Sequence, residues 1–107
     1  MMVTMLRDFK VDLFKALAHP IRIMIVDALR DGEMPVRGIQ ERLGIEQSTI
    51  SQHLAALRSS ELVLARREGT SIYYGVADPA IWELLDIARE IYERQLHANR
   101  QMFEALG

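Results

Sequence analysis

The apolar positions along the chain change period, and each change marks a new element. Leu6, Phe9, Leu13 and Leu17 recur at helical spacing, with Phe14 and Ala18 widening the stripe, which predicts a first helix over about residues 5–18. His19-Pro20 interrupts it, because the residue before a proline is pushed out of the helical region while proline suits the first position of a new helix. The second helix carries Ile21, Met24, Ile25, Ala28 and Leu29 on one face and Ile23 and Val26 on the other, and Asp31-Gly32 ends it. A helix apolar nearly all round belongs in the middle of a domain.

The next segment, PVRGIQERLG, is short, with Val36, Ile39 and Leu43 as its seam and Gly44 as a left-handed end. It leads directly into QSTISQHLAAL, where Ile50, Leu54 and Leu57 fall at i, i+4 and i+7 and leave Ser48, Ser51, Gln52, Ala55 and Ser59 on the far side. Short helix, tight turn, second helix is the layout of a helix-turn-helix, here over about residues 36–60. After Arg58 the pattern alternates: LVLARREGTSIYYGV is rich in β-branched and aromatic residues around Glu68-Gly69-Thr70, which predicts a two-stranded wing over about 62–77. Asp78-Pro79 then supplies a capping aspartate and a first-turn proline for a last helix, about 79–105, with no breaker before Gly107. At roughly 25 residues and nearly 40 Å, that helix is longer than a domain of this size covers by itself. Its apolar stripe is expected to meet another chain.

The fold expected is therefore mostly α with a β-hairpin wing: one winged helix-turn-helix domain over residues 1–107, in the order α-α-α-α-β-β-α. Dimerisation is expected through Ile81, Leu84, Leu85, Ala88 and Tyr92 of the last helix.

Composition narrows the chemistry. A chain of 107 residues buries only somewhat over half of its unfolded surface, which makes a partner chain a natural source of further burial. The absence of cysteine removes disulfides, thiolate metal ligation and thiol redox sensing together. Arg7, Asp8, Lys10 and Asp12 interrupt the N-terminal apolar run, so neither a signal peptide nor a spanning helix is read there; a cytoplasmic protein without membrane attachment is expected. The formal net charge of −2 argues weakly against nucleic acid. Its distribution reverses the argument, since residues 42–67 hold four arginines against two glutamates, whereas six acids face three arginines from Asp78 onward.

A helix in the major groove reads base edges through hydroxyls and amides, and Gln47 and Gln52 offer the amide fork that suits adenine. His53 stands at the edge of that face, and Arg66 and Arg67 beside the wing tip are placed to neutralise phosphates. Ser51 and His53 are too close along one helix to form a catalytic triad, and neither a nucleophile elbow nor a glycine-rich phosphate loop is present, so no enzymatic activity and no cofactor are expected.

The segments FKALAHPIRIMIVDALRDGE and IQERLGIEQSTISQHLAALRSSELVLARREGTSIYYGV resemble the ArsR/SmtB-type winged-helix repressors, continuously over about Asp12 to Val76. The resemblance implies base or phosphate contacts from Gln47, Ser48, Thr49, Ser51, Gln52 and His53, wing contacts from Arg66, Arg67 and Thr70, and a dimer built on the first helix, through Leu6, Phe9 and Leu13, together with the last. It also exposes departures. Where thiol-based metal sensors of the family carry Cys-x-Cys, this chain has Pro35 and Arg37; of the metal-ligand pattern on the last helix only Asp86 survives, with Ala88, Asn99 and Met102 at the other matching positions. Glu61 stands where the family usually places glycine, where a left-handed backbone costs a side chain on the order of 1 kcal/mol. That cost leaves the loop room to turn differently. Glu46 stands where a serine often caps the reading helix.

The function expected is a sequence-specific DNA-binding regulator, a homodimeric repressor on double-stranded DNA with an imperfect inverted repeat, released by an unknown effector. Two alternatives are a winged-helix module that binds only protein, and a metal-responsive repressor using Asp86, Glu90, Glu93 and His97, which share a face of the last helix.

Overall fold

The computed structural model describes all 107 residues. Five helices and one hairpin follow in the order α1 (Met2–Leu17), α2 (Pro20–Ala28), α3 (Val36–Leu43), α4 (Gln47–Ser59), β1 (Val63–Glu68), β2 (Ser71–Val76) and α5 (Ala80–Leu106). The expected order holds. Helix α1 begins three residues earlier than its apolar spacing indicates, and α2 closes in a 3-10 turn over Leu29–Asp31.

The His19-Pro20 boundary is built as the sequence requires. His19 is extended (φ −152°, ψ 133°), Pro20 opens α2, and the His19 Nδ1 accepts the Ile21 backbone N–H at 3.1 Å. Helix α2 is central: Ile25 and Val26 are fully buried and Leu29 nearly so, packed with Ile39 of α3, Ile50, Leu54 and Leu57 of α4, and Val63 of β1. Met24, by contrast, is exposed.

Gly44 ends α3 in the left-handed conformation (φ 67°, ψ 28°), which turns the chain into α4 within two residues. At the other end of α4, Glu61 also takes a left-handed backbone, φ 61°, so the loop does not turn differently to spare the side chain. Its hydrogen bonds explain why. The Leu62 N–H donates to Leu57 O at 2.9 Å and the Glu61 N–H to Arg58 O at 2.9 Å, the paired closure of a Schellman motif, and Leu62 buries itself in the same core as Leu57.

The hairpin pairs Glu68 with Ser71 across Gly69-Thr70, and Gly69 has φ 62°, the positive value that a two-residue turn matched to strand twist demands at its first position. Met34 adds a one-residue bridge to Tyr74, placing β2 between β1 and the entry to α3. The wing is thereby fastened to the helix-turn-helix rather than projecting from α4 alone.

Helix α5 is capped by Asp78, whose Oδ1 accepts the Ala80 N–H at 2.9 Å. Its first turns dock on the core: Ile81 is buried, Leu84 and Leu85 pack partly against it, and the Trp82 indole N–H donates to Val26 O at 2.8 Å. Ile81 belongs to its own chain's core, because α5 must be seated on α2 before it can run outward. Beyond Asp86 every residue of α5 is exposed.

Candidate nucleic-acid interface

Helix α4 separates its two tasks by face. Ile50, Leu54 and Leu57 have essentially no exposure, which fixes the helix rotationally, and Gln47, Ser48, Ser51, Gln52, Ala55 and Ser59 are left exposed. Thr49 and His53 lie at the margin, half-buried. The cap at Glu46 makes no side-chain hydrogen bond, so the first N–H groups of α4 are open to an incoming acceptor, with the Glu46 carboxylate nearby.

His53 is held from within. Its Nδ1 accepts from Arg22 Nε at 3.1 Å, and its ring lies against that of His19, centroids 4.2 Å apart. Burial first, then His19 and Arg22, lower its pKa below the ordinary histidine value. Its neutral form therefore dominates at neutral pH, with Nε2–H as the remaining donor.

The two wing arginines have different surroundings. Register places Arg66 opposite Tyr73 and Arg67 opposite Ile72, so the two project from opposite faces of the hairpin. Arg66 pairs with Glu33 at 3.2 Å and with Glu68 at 2.8 Å, and its guanidinium lies 5.2 Å from the Tyr73 ring centroid. A Cβ on Gly75 would stand 3.1 Å from Glu33 Cγ, so this glycine is what lets Glu33 lie across the strand. Arg67 has no ionic partner. Arg42 pairs with Asp31, which leaves Arg58 and Arg67 as the unpaired arginines of residues 42–67. The two arginines thus differ in surroundings: Arg66 is paired with Glu33 and Glu68, and Arg67 has no carboxylate partner. Thr70 is exposed at the wing tip.

Sequence reasoning missed Arg22, Glu33 and the Met34 bridge. Arg22 and His53 are 31 residues apart and Glu33 and Arg66 are 33 apart; pairings so distant have no periodic signature.

Two carboxylates of the acidic face of α5 are paired within the chain. Asp86 is engaged by Arg30 at 2.8 Å and Glu93 by Arg89 at 2.9 Å, and no three His, Asp or Glu side chains of the molecule are arranged to hold a metal ion. Asp86, Glu90, Glu93 and His97 share one face of α5, on the side opposite Ala88 and Ile91. No helix is long and apolar enough to cross a membrane.

The architecture is that of a winged helix-turn-helix protein. Residues 19–64 match the family described as bacterial regulatory protein, arsR family. The HTH-type transcriptional regulator Rv0081 of Mycobacterium tuberculosis is 38% identical over 102 residues, 94% of this chain and 90% of the relative. Its crystal structure superposes with a TM-score of 0.78 over 88% of this chain and 95% of that one. The homodimeric winged helix-turn-helix DNA-binding domain of Mb0332 from Mycobacterium bovis, solved by NMR, gives a TM-score of 0.77 at 36% identity, covering 87% of this chain and 86% of that one. The biofilm growth-associated repressor of Xylella fastidiosa is 36% identical over 81 residues, 76% of this chain and 71% of the repressor. The chain belongs to the ArsR family of bacterial transcriptional regulators.

Proposed function

We propose that the protein is a homodimeric, sequence-specific DNA-binding repressor acting in the cytoplasm on an imperfect inverted repeat. One observation carries the reading: α4 is locked by three buried aliphatic residues while an uninterrupted polar face, Ser48, Ser51 and Gln52 with Gln47 at its start, stays exposed. Such a helix is shaped to enter a major groove and offer hydroxyls and amides to base edges. Arg67 supplies phosphate contact from the wing, with Thr70 beside it.

Dimerisation rests on burial. Only 13 of 107 residues are buried within the chain, and the apolar residues left out are concentrated on two helices. They include Leu6, Phe9 and Phe14 on α1 and Ile87, Ile91, Tyr92 and Leu96 on α5. Ala88 is exposed beside Ile87 and Ile91, Leu13 is half-buried on α1, and Leu84 and Leu85 border the same stripe. Covering this surface with a second copy relieves a large exposed apolar patch and presents two α4 helices about 34 Å apart, one turn of DNA. Release from DNA follows when an effector has higher affinity for a dimer geometry that spaces these helices wrongly.

Footprinting on the DNA upstream of the protein's own coding sequence tests the reading. Two protected major-groove patches on one face, about one helical turn apart, are expected. A single patch at saturation, or none at low salt, contradicts it.

A further inference from the structure

His53 sits on the helix assigned to reading DNA, yet it is fastened to its own chain. Arg22 bridges two elements to do this. Its Nη1 donates to the Ala16 carbonyl at 3.2 Å, holding it to the end of α1, and its Nε donates to His53 Nδ1 at 3.1 Å. His19, itself fixed by capping α2, lies against the His53 ring. One side chain thus links α1, the start of α2 and the second turn of α4.

We propose that Arg22 and His53, backed by His19, form a positioning pair for the reading helix, and that one proton on His53 releases it, so that acidification weakens binding to specific DNA. The proposal rests on the DNA-reading assignment of α4.

The chemistry is set by the bond's direction. A guanidinium has donors only and stays charged, so the bond needs a lone pair on His53 Nδ1. A protonated imidazole has none, and two cations then stand where a hydrogen bond stood. The charged or titratable groups acting on His53 are His19, the cap of α2, and Arg22 within it. Asp12 and Lys15 of α1, and Glu61 beyond the end of α4, line the adjoining cleft with Arg22, but neither carboxylate bonds or pairs with His53. No carboxylate is among the groups acting on His53. Burial is the first cause of the lowered His53 pKa, His19 the second and Arg22 the third. A base whose folded pKa is lowered favours its neutral form in the fold, so the hold is complete above the ordinary value of 6.5 and is lost as pH falls through the lowered one.

The sign of the effect is diagnostic. Adding positive charge to a DNA-binding face ordinarily tightens binding through phosphate attraction. Release of the helix does the opposite.

The test uses the full chain and a duplex enriched from random sequence at about pH 7.5, with affinity measured by anisotropy down to about pH 5.5 at constant salt. The unmodified protein is expected to lose affinity several-fold, whereas His53→Gln, whose amide oxygen still accepts from Arg22 and cannot titrate, is expected to bind without that loss. NMR titration of the histidine rings in the DNA-free protein provides a second reading: His53 should titrate below 6.5 and move up in Arg22→Met. Affinity that is unchanged or tighter in acid, the same loss in His53→Gln, or a His53 midpoint at or above 6.5 overturns the proposal. If no duplex is enriched, the DNA-reading assignment fails separately, and the NMR titration still decides the Arg22–His53 pair.

Discussion

Glu61 carries a backbone conformation that disfavours any side chain, yet the turn around it is fully hydrogen-bonded and its neighbour Leu62 is buried. The strain is local and should be recoverable. Glu61→Gly is expected to raise stability by about 1 kcal/mol in urea denaturation, since glycine adopts the left-handed region without the Cβ penalty. No gain, or a loss, would mean that the Glu61 side chain compensates through a contact of its own. The wing arginines make a second prediction at this scale. Arg67→Ala should weaken binding to all DNA sequences and reduce the salt slope by about one, whereas Arg66→Ala should leave the salt slope nearly unchanged, because its charge is already matched by Glu33 and Glu68. Measuring affinity against salt for both variants separates the two; equal slopes would return both to one role.

At the level of elements, α4 depends on its buried seam. Leu54→Ala is expected to cost about 2–5 kcal/mol, because Leu54 is almost without exposure among α2, α3 and β1 and its loss leaves a cavity. Thermal or chemical melting checks this, and a cost below about 1 kcal/mol would mean that the core collapses around the gap. What was legible in the sequence follows the same division. Ile39, Ile50, Leu54 and Leu57 announce their burial by spacing; Gly44, Gly69 and Asp78 announce turns and a cap by backbone preference. Two kinds of feature were not legible. Glu61 hides a left-handed turn, because its own preference opposes the conformation that the surrounding hydrogen bonds impose. Arg22 with His53 and Glu33 with Arg66 meet only after the helices pack, so no local pattern reveals that two of the expected contact residues are already engaged.

For the whole molecule, α5 has two parts with different duties: Ile81, Trp82 and Leu85 seat it on the domain, and from Ile87 onward it extends an apolar stripe past anything its own chain provides. A charge placed in the second part should separate protomers without unfolding them. Ile91→Asp is expected to give a folded monomer by sedimentation, with unchanged helical content, whereas Leu85→Asp should also lower the melting temperature because Leu85 borders the core. An Ile91→Asp dimer of undiminished stability would remove the interface assignment. The central claim is that the polar face of α4 reads sequence while charge elsewhere supplies affinity. Its most direct test is Gln52→Ala, with affinities for a selected duplex and a scrambled duplex followed across salt. The account predicts a loss of about 1–3 kcal/mol on the selected duplex, little on the scrambled one, and the same salt slope. Equal losses on both duplexes would contradict it.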